Sequence, residues 1–160
     1  MGSGMTDRQQ YVESSFRDVI TESNKAVEKV AAWLRRKYPD ARPGDVAYAD
    51  VYESGGDVWL TKDGIECRVE VKWISTPFTQ LIDWPFHDVI VDSVKCYDAP
   101  NDRPLLAYIF CNPSLNGCGV ILPETKDHWR TRVAKNHPRH KRDIKYYVCH
   151  PRNVHWKYLP

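Results

Sequence analysis

Asp57, Glu70 and Lys72 are the residues of this chain whose types and spacing point to a reaction. The run Gly55-Gly56-Asp57-Val58-Trp59-Leu60 precedes Cys67-Arg68-Val69-Glu70-Val71-Lys72-Trp73, and the stretch from Ile65 to Trp73 alternates strictly. Ile65, Cys67, Val69, Val71 and Trp73 take one side of a strand; Glu66, Arg68, Glu70 and Lys72 take the other. Glu70 and Lys72 therefore point the same way, and a neighbouring strand could bring Asp57 to them. Two carboxylates hold a hard, oxygen-loving cation such as Mg²⁺, which keeps several waters and also binds a substrate phosphate. A cation so held polarises the phosphate and supplies a hydroxide-like water, while a lysine orients that water or offsets the developing charge. This is the chemistry of metal-dependent phosphodiester hydrolysis.

The elements that must position these residues are legible in outline. Val12 to Leu34 carries Phe16, Ile20, Val27, Ala31 and Leu34 at helical spacing, which predicts a long amphipathic helix ending before Pro39. Pro43-Gly44 reads as a turn and Val46 to Tyr52 as a first strand. Asp57 to Thr61 and Ile65 to Ile74 form a hairpin around Asp63-Gly64, a dipeptide suited to positive φ. An aromatic-rich connection, Pro77 to Phe86, leads to the short apolar run Val89-Ile90-Val91. Leu105 to Cys111 and Cys118 to Leu122 read as strands around an Asn116-Gly117 turn, Pro123 opens a helix to about Lys135, and Ile144 to Cys149 is a last strand. The order predicts an α/β domain with a mixed sheet and helices packed against it.

Asp57, the turn at Lys62-Asp63-Gly64 and then Glu70-Val71-Lys72 resemble the motif of the PD-(D/E)XK nuclease superfamily. Gly56 stands where the superfamily pattern has proline. The resemblance covers roughly residues 12 to 75 and implies a restriction-endonuclease-like fold, a three-layer domain with a central mixed β-sheet flanked by helices. It implies Asp57 and Glu70 as ligands of Mg²⁺ or Mn²⁺, the Val71 carbonyl as a further ligand and Lys72 as the residue that positions or activates water. Glu28-Lys29-Val30-Ala31-Ala32-Trp33-Leu34 is similar to the first helix of this fold, whose glutamate often helps bind metal, so Glu28 is a candidate third carboxylate. On the helical wheel Glu28 falls off the centre of the apolar stripe, where a surface glutamate is an equal reading. A Glu-x-Lys also arises on a solvated strand face with alternating charges.

Net charge is +2, but it is unevenly spread. From Lys126 to the C-terminus ten Lys or Arg residues face two acids, so the acidic remainder carries the site. A basic region beside an acidic site suits an enzyme that gathers cations at one place and holds a polyanion at another. Arg130, Arg132, Lys135, Arg139, Lys141, Arg142 and Lys145 are the expected phosphate contacts. Interleaved Trp129, Tyr146, Tyr147 and Trp156 could stack on bases, or lie in the core beneath a solvated basic face. An acidic protein partner is the other polyanion such a face would suit.

Composition argues against other classes. With 42% hydrophobic and 28% charged residues the chain reads as one ordinary globular domain over residues 5–160, and Met1-Gly2-Ser3-Gly4 ahead of Met5 reads as a cloning remnant. No apolar run reaches membrane-spanning length, and five scattered cysteines favour reduced, buried thiols and a cytoplasmic location. His128, His137, His140, His150 and His155 crowd near Cys149, without the paired Cys-x-x-Cys spacing of a structural zinc site. No Gly-x-Ser-x-Gly elbow, phosphate loop or dinucleotide fingerprint is present. His87 could assist a general base or be structural.

The expectation is a metal-dependent nuclease acting on DNA in preference to RNA, with the resemblance also admitting a homodimer and a phage or mobile-element role. The alternative is a catalytically inactive nuclease-like module that binds nucleic acid or a protein partner.

Overall fold

The computed structural model describes residues 16–44, 55–136 and 141–160. The strand expected over Val46 to Tyr52, the first residues of the helix expected from Val12, and Arg139, His137 and His140 lie outside them.

Helix α1 (Phe16–Leu34) forms where apolar residues recur every three or four positions. Its inner stripe of Ala26, Val27, Val30 and Ala31 is buried. It ends in a turn where the Tyr38 amide donates to the Leu34 carbonyl at 2.8 Å, and Pro39 bars continuation. The expected Pro43-Gly44 turn is corrected: β1 (Arg42–Pro43) pairs with Trp59 and Val58 of β2. Gly44 allows that approach, since a Cβ there would stand 2.6 Å from the Trp59 ring.

β2 (Gly55–Lys62) and β3 (Ile65–Trp73) make the expected hairpin. Asp63 (φ 53°) and Gly64 (φ 78°) both adopt the left-handed region that a two-residue type I′ turn requires. The chain continues through β4 (Val89–Ser93), α2 (Val94–Asp98), β5 (Leu105–Cys111), β6 (Gly117–Ile121), β7 (Arg130–Ala134), β8 (Ile144–Cys149) and β9 (His155–Tyr158). The aromatic-rich connection contains a single 3₁₀ turn, Leu81–Asp83.

Six strands form a mixed sheet in the order β1-β2-β3-β5-β6-β9, and β4-β8-β7 form a second, smaller sheet. Among the described residues only the central β3–β5 pairing is parallel. The near-continuous apolar run Leu105 to Cys111 fits this position, because a strand between two covered faces needs apolar side chains on both. On one face Val58, Leu60, Val69, Val71, Ala107 and Ile109 pack against α1. On the other, Tyr108, Phe110 and Ile121 pack with Phe78, Val89, Val91, Cys149 and Val154.

Among the described residues the face opposite α1 is covered by the small sheet, its aromatic connections and the short helix α2, whose Tyr97 packs with Tyr108. The helix expected from Pro123 to about Lys135 is a 3₁₀ segment, Pro123–His128, followed by strand β7. Thr125 Oγ1 donates to the Leu122 carbonyl at 2.6 Å and accepts from Trp129 Nε1 at 3.0 Å, which closes the turn. Beyond it the segment has no helical apolar stripe, and β-branched Thr131 and Val133 enter an antiparallel ladder with β8. β8 is not the last strand either, since β9 returns to pair with β6.

All five thiols are free, and Cys67, Cys111, Cys118 and Cys149 are buried as expected. Burial pushes Cys118 and Cys149 up to about 12, so they act as small apolar groups. Among the described residues no helix is long and apolar enough to cross a membrane.

The turn between β5 and β6 also differs from expectation. Gly117 opens β6, and Leu115 (φ 58°) takes the left-handed conformation instead. The cause is Asn112, only 3% exposed. Its Nδ2 donates to the Phe78 carbonyl at 2.8 Å and to Asn116 Oδ1 at 2.7 Å, while its Oδ1 accepts from the amides of Asn116 and Gly117 at 3.1 and 3.2 Å. One buried amide thus ties the β5–β6 turn to the aromatic connection. Asn112→Ala strands several of these partners in a dry interior and should cost about 2 kcal/mol. In a domain of this size the thermal midpoint should fall by roughly 4–8 °C; a melt superimposable on the wild type would contradict the tie.

Candidate functional site

The hairpin register sets Asp57 directly opposite Glu70. Because Val58, Val69 and Val71 face α1, Asp57, Glu70 and Lys72 face the other way. On the far side of β3 the parallel register puts Tyr108 beside Glu70 and Phe110 beside Lys72. The three residues expected to form a site are therefore on one face, at adjoining positions.

Their electrostatics are strongly coupled. Burial pushes the Glu70 carboxyl up to about 8, and its hydrogen bond to Asp57 and the Asp57 charge act in the same direction. Arg68 Nη1 meets Glu70 Oε1 at 2.5 Å and pulls the other way, as does Lys72. The upward direction prevails because burial of the Glu70 carboxyl and the facing Asp57 together outweigh the two cations. Arg68 is itself fixed by Nε donating to the Arg103 carbonyl at 3.1 Å.

Lys72 Nζ donates to the Val91 carbonyl at 3.1 Å and lies 3.4 Å from Asp92 Oδ1. It also stands 5.1 Å from the centre of the Tyr108 ring. Tyr108 donates its hydroxyl to Asp92 Oδ2. Burial first, then the charges of Asp92 and Glu70, drive its phenol far above the ordinary range. Tyr97 stacks on it with centroids 6.2 Å apart. Asp92 and Tyr108 escaped the sequence reading. The signal available was a polar group at the end of one apolar run, Val89-Ile90-Val91, and inside another, Leu105 to Cys111.

Other expected site residues are placed elsewhere. Glu28 is not brought to the pair: it is exposed on α1, across the sheet from Glu70, and lines an open concavity with Thr21, Lys25, Ser114 and Leu115. The structure does not bring it there because α1 packs on the face Glu70 turns away from, and the surface reading describes its position. The Val71 side chain is in the helix-side core, and its backbone lies in the sheet between Gly56 and Ile109. His87 is exposed. Among the described residues no three His, Cys, Asp or Glu side chains converge as a metal-binding group. Two hard carboxylates do converge, and Mg²⁺ is commonly held by one or two carboxylates with water and substrate phosphate completing its shell. The donor set fits such a cation, which would offset the repulsion that now raises Glu70.

The basic residues do not share one face. On β7, Arg130 and Arg132 stand opposite Val148 and Tyr146, whereas Lys145 pairs with Val133 on the reverse side of the ribbon. Arg132 is paired with Asp88 at 3.0 Å and Lys135 with Asp143 at 3.4 Å. Lys141 and Arg142 are exposed in the connection before β8. Trp129 and Tyr147 pack on Tyr97, and Trp156 packs on Phe78 and Phe110. Trp129, Tyr147 and Trp156 are all partly buried at the edge of the aromatic-side core.

No protein-family model matches the chain, and no curated protein or solved structure matches it either.

Burial and the facing Asp57 raise the Glu70 carboxyl in the fold to about 8, against 4.5 for an ordinary glutamate. Its folded value is raised, so the stability it contributes is complete below about pH 4.5 and is lost as pH rises towards and through 8. In EDTA, Glu70→Gln should remove this loss, seen as a flatter plot of thermal midpoint against pH between about pH 5 and 8.5. Parallel wild-type and variant profiles would show that Glu70 is not held neutral.

Proposed function

We propose that this protein is a metal-dependent nuclease that hydrolyses phosphodiester bonds in DNA, with a PD-(D/E)XK-type site at Asp57, Glu70 and Lys72. The observation that carries the reading is the cross-strand register: Asp57 stands opposite Glu70, and Lys72 is two residues further along the same face. Chance alternation on a solvated strand would leave such groups in water. Here Glu70 is mostly buried and its carboxyl is pushed up to about 8, an arrangement that costs free energy unless a cation or proton is present. An α/β arrangement, with a mixed sheet carrying α1 on one face, supports the restriction-endonuclease-like part of this reading.

In this reading Asp57 and Glu70 hold Mg²⁺ or Mn²⁺. The ion, when bound, supplies Lewis acidity and lowers the pKa of a coordinated water. The chain's own residues do the remaining work. Arg68 holds one Glu70 oxygen and so orients the carboxylate. Lys72 presents a positive charge to the phosphoryl oxygens, where it opposes the charge that builds during displacement. Arg130, Arg132, Lys141, Arg142 and Lys145 are the available cations for the DNA backbone, a contribution that is salt-dependent and carries no sequence information. We extend the reading to a cytoplasmic protein, with the phage or mobile-element setting as its context.

A second reading, a non-catalytic module on the same sheet, is favoured by one observation: among the described residues only two acids meet, with Glu28 remote. Cleavage separates the two. Plasmid, linear, single-stranded and branched DNA and RNA should be incubated with Mg²⁺ or Mn²⁺, beside EDTA, Glu70→Gln and Lys72→Ala. The nuclease reading expects metal-dependent cutting of DNA, reduced at least about 10²-fold in each variant, the scale of losing one transition-state contact. Cutting that survives both substitutions, or no cutting of any substrate, would contradict it.

A further inference from the structure

Strand β4 does not pair regularly with β8. Ile90 stands opposite Val148 and Asp92 opposite Tyr147, so Val91 has no partner of its own in the ladder. This is a β-bulge, a device that re-aims the groups around it and recurs beside functional sites. Here it does two things at once. The Val91 side chain stays fully buried in the aromatic-side core, while its carbonyl accepts from Lys72 Nζ at 3.1 Å. The next residue, Asp92, then turns its carboxylate onto the same ammonium at 3.4 Å.

Asp92 is itself locked. Its Oδ1 accepts from the Ser93 amide at 2.8 Å, its Oδ2 accepts from the Tyr108 hydroxyl, and its side chain is only 16% exposed. A buried carboxylate with fixed donors has little freedom to reorganise, which is what positioning a second group requires. Tyr108 closes the circuit, since it neighbours Glu70 across the parallel pairing and its ring lies 5.1 Å from Lys72 Nζ. Lysine alone has a long flexible stem and no preferred direction.

We propose that Asp92, presented by the bulge at Val91, is a positioning residue: it holds the Lys72 ammonium in the orientation from which Lys72 acts on the substrate phosphate. This rests on the nuclease reading above. The site is then assembled from both sheets, with the two acids and the lysine from the large one and the group that aims the lysine from the small one.

Asp92→Asn isolates the role, because an amide oxygen can still accept from Tyr108 or Ser93 while the negative charge facing Lys72 is lost. Supercoiled plasmid DNA with Mn²⁺ is the probe. We expect kcat to fall about 10–100-fold with KM within about 3-fold of wild type, the signature of an interaction realised in the transition state. In a Lys72→Ala background, read under single-turnover conditions with enzyme in excess, the same substitution should cause no further loss. Tyr108→Phe, which frees one Asp92 oxygen without removing charge, should give a smaller fall that also vanishes without Lys72. Independently of activity, the lysine ammonium NMR signal that disappears in Lys72→Ala should move in Asp92→Asn. Full activity in Asp92→Asn, an equal loss in both backgrounds, or an unmoved ammonium signal would each overturn the proposal. A wild-type protein that cuts nothing while the ammonium signal still moves would mark failure of the nuclease reading, and the positioning role would fall with it.

Discussion

The register of the β2–β3 hairpin decides which side chains of this protein can meet. With a period of two, a slip of one residue in β3 would send Val69 and Val71 to the aromatic side and turn Glu70 and Lys72 into the helix-side core, away from Asp57. The hydrophobic contact with α1 therefore selects the face on which the acids stand, and the Asp63-Gly64 turn selects which acid opposes which. Two weakly specific local signals combine into one strongly specified geometry. The parallel pairing of β3 with β5 carries that geometry outwards, since it sets Tyr108 beside Glu70 and Phe110 beside Lys72.

Ionisable groups partly withdrawn from water need compensation, and this site distributes it unevenly. Lys72 has the Val91 carbonyl and Asp92, and Asp92 has Tyr108 and Ser93. Glu70 has Arg68, yet the facing Asp57 and its own burial outweigh that guanidinium. Within the acid pair, the charged form of Glu70 stays disfavoured. A structural ion-pair network would be expected to balance there, whereas a place that receives a cation from outside leaves the imbalance open.

The sequence made the hairpin and α1 legible because both rest on local periodicity and on turn residues with a mechanical reason for their positions. It made Asp57, Glu70 and Lys72 legible for the same reason. Asp92 was beyond such reasoning: it reaches Lys72 from another sheet, by way of a bulge that no local pattern announces. Asn116-Gly117 looked like a turn, but the buried Asn112 amide captured the loop and moved the left-handed residue to Leu115. Pro123 does open a helical turn, and β-branched Thr131 and Val133 then take the chain into a ladder that only the distant β8 can complete. Glu28 came from the resemblance, and the surface position that its place off the apolar stripe allowed is the one it takes, because the resemblance says nothing about which face of the sheet α1 covers.

Direct cation binding tests the central claim most closely. Calorimetric titration of Mn²⁺ into the wild-type protein at pH 8, with Asp57→Asn and Glu70→Gln alongside, reads the acid pair without reference to any substrate. The account predicts binding to the wild type that weakens at least tenfold in each variant while thermal melts show both variants folded. Absence of Mn²⁺ binding to the wild type, or equal binding by all three proteins, would contradict it.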